Sequence, residues 1–278
     1  AQSENALGNH QAALEALFAV PNLTRFPGLF SLKASSEWEL GRKAEALATL
    51  RRAGELYASR SDFARQRISY LLELDLTQAA AEESLNYLQD AEQSPEVYTA
   101  MGEALRRGGQ LEAAVQVLEL GRIRFPENEQ IKLVLAQTYL DRDMPRTAGS
   151  LIEEAAARNL SLYHEAAEIY RRAGDLSRAL FLNSLVLDPA KKTRQRFNLL
   201  LAQERYEEAV ALEPRLAAGG ATHDDGVRYA LAYAFFENRA LDRAVAYLSE
   251  ISSSEYFQQA TQLRRAIETV RDREYIYF

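Results

Sequence analysis

Between Pro95 and Asn128, small, aromatic and aliphatic residues stand at spacings that suit two closely packed antiparallel helices: Tyr98, Met101-Gly102, Leu105, Gly109, Ala114, Leu118, Gly121 and Pro126. Each has a physical task. Gly102 and Ala114 let the helices approach, Gly109 makes the turn between them, and Pro126 ends the second helix. The set returns about 34 residues on, as Leu135-Ala136, Tyr139, Ala148, Ile152 and Ala155, with Asp143 in the place of the turn glycine. It returns again from Leu160 as Tyr163, Ala166-Ala167, Tyr170, Gly174, Ala179 and Val186, and is closed early by Asp188-Pro189. One such hairpin cannot bury its own apolar face, so the copies must stack.

The period covers the chain with uneven regularity, with repeats starting near 27, 62, 95, 129, 160, 190 and 225. Ala34, Trp38, Gly41, Ala46, Leu50 and Ala53 carry the repeat at Pro27, and Ile68, Leu72, Ala81, Leu85 and Leu88 the one at Asp62. From Ala190, Phe197, Leu200, Ala209 and Leu216 keep the core spacing, but Pro214 falls inside the second helix and is predicted to kink it. After the Gly219-Gly220 loop, Leu231-Ala232, Phe235, Ala244, Leu248 and Ile251 restore a good repeat. Residues 1–26, with Gly8, Ala13, Leu17 and Val20, read as half a repeat. Residues 256–273 read as a helix covering the last repeat, before an apolar tail, Tyr275-Ile276-Tyr277-Phe278, expected to pack on something. No Pro/Gly/Ser-rich linker divides the chain, so 1–278 reads as one elongated unit.

Composition agrees with an all-α class: 47% hydrophobic and 26% charged residues with only 9% aromatic favour Ala/Leu/Glu/Arg-rich helices over sheets. A net charge of −7 disfavours a nucleic acid partner, which needs clustered cations, and suits a basic one. The absence of Cys removes disulfides, thiol nucleophiles and Cys-based zinc sites together. No apolar run is long enough to span a membrane.

In these residues and this period the chain resembles the tetratricopeptide-repeat family over nearly its whole length. The resemblance implies a right-handed α-solenoid of helical hairpins whose first helices line a concave groove. The groove residues it implies are Glu96, Thr99, Glu103, Arg106 and Arg107, then Gln130, Leu133, Gln137, Leu140 and Asp141. Next come Ser161, His164, Glu168, Arg171 and Arg172, followed by Lys191, Arg194, Asn198, Leu201 and Ala202. The last repeat adds Gly226, Tyr229, Tyr233, Phe236 and Glu237. Arg194 with Asn198 resembles part of the family's carboxylate clamp for chaperone tails, from which Tyr233 in the next repeat departs. Tyr229, Tyr233 and Phe236 form a stripe that could grip a peptide or a sugar ring, although aromatic residues at helical spacing more often pack inward.

Chemistry is sparse. His164 and Glu168 stand one helical turn apart without a second histidine or a third ligand, which predicts a solvated face and no metal. His223-Asp224-Asp225 sits where an aspartate caps a helix. Adjacent carboxylates such as Glu82-Glu83, Glu153-Glu154 and Glu207-Glu208 diverge around a helix and do not converge on a substrate. No enzyme and no cofactor are expected. The expected function is a scaffold for protein partners. Fragment-like ends, irregular repeats, an Arg-rich, Cys-free composition and acidity also make the chain similar to bacterial envelope proteins in which a periplasmic repeat array precedes an outer-membrane β-barrel. Those proteins, the Pel exporters above all, export exopolysaccharide for biofilms. That likeness implies a periplasmic location, docking of a polysaccharide deacetylase or hydrolase, and contact with a cationic polysaccharide. The alternative is an assembly adaptor, in the cytoplasm or envelope, that grips a partner helix or peptide.

Overall fold

A computed structural model describes residues 1, 4, 7–57, 60–90 and 94–276, and their regular structure is helical. The chain groups into two compact units, 1–144 and 145–278. The first holds α1 (His10–Phe18), α2 (Gly28–Glu39), α3 (Lys43–Leu56), α4 (Ser61–Glu73), α5 (Thr77–Asp90), α6 (Pro95–Arg107), α7 (Leu111–Arg124) and α8 (Glu129–Asp141). The second holds α9 (Pro145–Ala156), α10 (Tyr163–Arg172), α11 (Leu176–Leu185), α12 (Pro189–Ala202), α13 (Tyr206–Val210), α14 (Glu213–Ala218), α15 (Asp225–Glu237), α16 (Leu241–Ser249) and α17 (Phe257–Ile276). Neighbours in sequence pack in pairs: α2 with α3, α4 with α5 and α6 with α7 in the first unit, α10 with α11 and α15 with α16 in the second. The apolar tail over 275–278 lies outside the described side chains.

The same turn closes each first helix. At Gly41, Gly109 and Gly174 the backbone is left-handed, and Asp75, Asp143, Glu204 and Arg239 take the same conformation at φ 56 to 61°. In each case the next residue's N–H reaches back five residues to a helix carbonyl, as from Gln110 to Leu105 (2.9 Å) and from Arg205 to Leu200 (2.9 Å). These bonds satisfy carbonyls that a helix end leaves unpaired. In the first unit the left-handed residues 41, 75, 109 and 143 follow one even step.

Close approach is built at two glycines of the α6–α7 hairpin. A Cβ on Gly102 would stand 2.4 Å from Leu118 Cγ, and one on Gly121 would stand 2.8 Å from Tyr98 Cβ. Leu118 and Tyr98 are fully buried, each contributing about 1.5–3 kcal/mol by area. Polar side chains inside the core find local partners: Ser36, Ser84 and Thr138 each donate to the carbonyl four residues earlier. Buried Glu37 accepts from Thr49 (2.7 Å) and pairs with Lys33 (3.1 Å).

Two sequence expectations shift. In the second repeat the helix begins at Ser61, and the buried set is Phe63, Ile68, Tyr70, Leu71, Ala80, Ala81, Ser84 and Leu88. Leu72 and Leu85 are only half-buried, because the register runs one residue earlier than a start at Asp62 implies. Pro214 does more than kink a helix. Without an N–H it cannot bond the carbonyl four residues back, and the second helix is divided into α13 and α14, with Pro214 in the first turn of α14.

Candidate partner-binding groove

In the first unit two clefts flank α6. One, of ≈570 Å³, lies between α6 and α8 and is lined by Glu96, Thr99, Ala100, Glu103, Arg106 and Arg107, with Gln130, Leu133, Val134 and Gln137 opposite. The other, also ≈570 Å³, lies between α4 and α6 and is lined by Arg65, Ile68, Ser69, Leu72 and Glu73, facing Ala100, Met101, Ala104 and Arg107. Ala100 and Arg107 border both, so the clefts form one groove across three helices. All three are the opening helices of their repeats, and helical spacing brings every third or fourth residue to the groove.

The groove has an apolar floor, and Glu103, Arg106 and Arg107 on its wall are already paired. Arg106 is held between Glu103 (2.9 Å) and Asp141 (2.6 Å), and Gln137 donates to Asp141. Glu103 accepts from Arg106 and Arg107, which holds its carboxyl below the usual range, and Glu103 followed by Asp141 raises Arg106. Arg107, with 74% of its side chain exposed, stands as the groove's outward cation. Arg65, Ser69 and Glu73 were not named from the sequence, and Leu72 was expected there in the core. Counting from Gly41 and Gly109 places the intervening turn at Asp75 and the helix start at Ser61, which would have found them.

The remaining sequence candidates lie in the second unit. Glu168 accepts from Arg171 (2.8 Å) and Arg172 (3.1 Å) on α10, and the His164 carbonyl accepts from Gln195. Arg194 pairs with Asp224, which also caps α15 by accepting from the Gly226 and Val227 amides. Asn198 is exposed on α12. Tyr229 stacks on Tyr256 with ring centres 6.0 Å apart, and Phe236 packs against the buried cluster around Leu231 and Phe235. Tyr233, 38% exposed, meets Tyr206 edge-on, and a hydrogen bond to Tyr206 with partial burial raises its hydroxyl pKa. The three rings therefore offer no open platform, and inward packing accounts for two of them. Among the described residues no group of three potential metal ligands occurs and no helix is long and apolar enough to cross a membrane.

The sequence matches no protein-family model and no curated protein. Solved structures do match in fold. The Naa15/Naa10 complex bound to HypK-THB aligns at TM-score 0.60 and 15% identity over 91% of this chain, which spans only 43% of that one. The C-terminal part of a TPR repeat-containing protein from Cytophaga hutchinsonii aligns at 0.52 and 17% identity, covering 81% of this chain and 97% of that one. These likenesses support the repeat architecture and give the likeness to an exopolysaccharide exporter no support. Helical pairs, recurring left-handed turns and structural neighbours together give the chain the all-α tetratricopeptide-repeat solenoid fold.

Proposed function

We propose that the chain is a non-catalytic scaffold that seats a helix or extended segment of a partner protein in the groove across α4, α6 and α8. The observation that carries this reading is the groove itself: an apolar floor of Ile68, Leu72, Ala100, Ala104, Leu133 and Val134 under a wall whose Glu103, Arg106 and Arg107 are already paired. Such a surface rewards apolar anchors at helical spacing. The Naa15/Naa10 structure with HypK is a precedent for this fold within an assembly. The finer reading, a periplasmic scaffold for a polysaccharide deacetylase or hydrolase, rests on the sequence resemblance alone. A photo-crosslinker placed at exposed Ala100 is expected to trap a protein partner, and one at exposed Gln116 on α7 is not. Ala100→Arg should lower retention of that partner about tenfold, the loss of one central contact, with unchanged helicity. Equal crosslinking from both positions would defeat the groove.

A further inference from the structure

A small pocket in the second unit stands apart in charge. Between α12 and α14, an open pocket of ≈270 Å³ is bordered by Lys191, Arg194 and Arg215 with no carboxylate on its walls, over the buried side chain of Leu216. The chain as a whole carries −7, so two cations beyond the Arg194–Asp224 pair, around so small a volume, concentrate positive potential. The helix that supplies Lys191 and Arg194 also contains Lys192 and Arg196 and no acidic residue.

The nearby carboxylates already have partners. Asp188 accepts from the Ala190 and Lys191 amides at 2.9 Å, so the start of α12 is already capped. The positive character of the pocket therefore belongs to side chains and owes nothing to open helix amides. Asp224 accepts from the Gly226 amide (2.8 Å) and from Arg194, which orients that guanidinium while leaving Lys191 and Arg215 to face an incoming anion. Arg215 follows Pro214 in the first turn of α14, so the helix break places it at this pocket.

We propose that this pocket binds one phosphate group, either inorganic or borne by a small soluble monoester, with Lys191 and Arg215 as direct cations and Arg194 held ready by Asp224. A guanidinium and an ammonium suit a compact oxyanion by charge-assisted hydrogen bonds, and the volume leaves room for one small substituent.

The test is an amide-resolved NMR titration of the full chain with sodium phosphate at constant ionic strength, repeated with phosphoserine. Saturable shifts are expected over 190–194 and 219–221. Arg215→Ala should weaken binding about tenfold, the value of a charge-assisted hydrogen bond. Arg172→Ala, which removes a similar exposed charge outside the pocket, should leave it within about twofold, as screened long-range attraction predicts. Tighter binding of phosphoserine than of phosphate would mark the monoester as the form preferred. The proposal fails if neither ligand gives saturable shifts, or if R172A weakens binding as much as R215A. It also fails if phosphatidic acid vesicles bind while both soluble ligands do not. Lys191→Gln, an exposed substitution expected to act in the same direction, decides the matter if R215A does not fold.

Discussion

The hairpin of α6 and α7 and the one that begins with α12 solve the same packing problem in opposite ways. In the first, Gly102 faces Leu118 and the second helix runs unbroken from Leu111 to Arg124. In the other, the corresponding place in the first helix holds fully buried Phe197, and the second helix is divided into α13 and α14, with Leu212 in the break and Leu216 beyond it in the same buried cluster. A glycine lets two straight helices close directly. A ring in that place fills the gap itself and lets the partner helix bend around it. The difference teaches that the repeat specifies a volume to be filled more strictly than it specifies a straight second helix.

The largest expected effect tests the ring. Phe197→Ala should cost about 3–5 kcal/mol by emptying a buried site. Because contacts in stacked repeats are local, the loss is best read as faster amide exchange across α12, α13 and α14. A loss below about 1 kcal/mol, which a surface change can give, would remove Phe197 as the centre of that hairpin. Next, Gly102→Ala forces a Cβ to within 2.4 Å of Leu118 Cγ and should cost about 1–3 kcal/mol by overpacking. Adding Leu118→Ala should recover part of that cost through coupling, since the two sites share one space. Strict additivity would show that the glycine is not there for close approach.

The period was legible because its bearers are residues whose size or backbone freedom is hard to replace: Gly102, Gly109, Ala114 and Gly174. The turns at Asp75, Glu204 and Arg239 were not legible from residue type. Their left-handed conformation is imposed by backbone bonds such as Leu76 N–H to the Leu71 carbonyl, which any residue can make. Missing Asp75 moved the second repeat by one residue and placed half-buried Leu72 and Leu85 where Leu71 and Ser84 are buried. The site candidates in the second unit were legible as positions and not as arrangements. No spacing rule shows that Arg194 reaches Asp224 or that Tyr229 lies against Tyr256.

Acid should separate the two hairpins' surroundings further. Asp225, at the start of α15, accepts from the Ser252 and Ser253 amides and pairs with Arg228 (2.7 Å). Arg228 first, then those amides, hold its pKa down at about 2, against an ordinary 3.8. A depressed carboxylate pKa means the folded state binds its proton less readily. Its contribution is therefore complete above the ordinary value and is lost as pH falls through the folded one. Asp225→Asn should flatten the acid limb of the melting temperature between 3.8 and about 2. An unchanged limb would mean that the link from α15 to the segment before α17 carries no acid sensitivity.

The smallest effect isolates the turn from the packing around it. Gly109 and Glu204 close their helices with matching bonds: Gly109 N–H to the Arg106 carbonyl and Glu204 N–H to the Leu201 carbonyl, both 3.0 Å, each followed by the five-residue bond of the next amide. Their φ angles, 74° and 58°, both lie in the left-handed region, where a Cβ costs about 1–2 kcal/mol. A Cβ on Gly109 would meet no atom within 4 Å, so Gly109→Ala should reveal the conformational cost alone, about 1 kcal/mol. Glu204→Gly should move the other way by less, since glycine also gains freedom in the unfolded chain. If both substitutions destabilise, the Glu204 side chain contributes something that offsets its strained backbone. If they move in opposite directions, the two hairpins differ in how they fill their cores and share one turn.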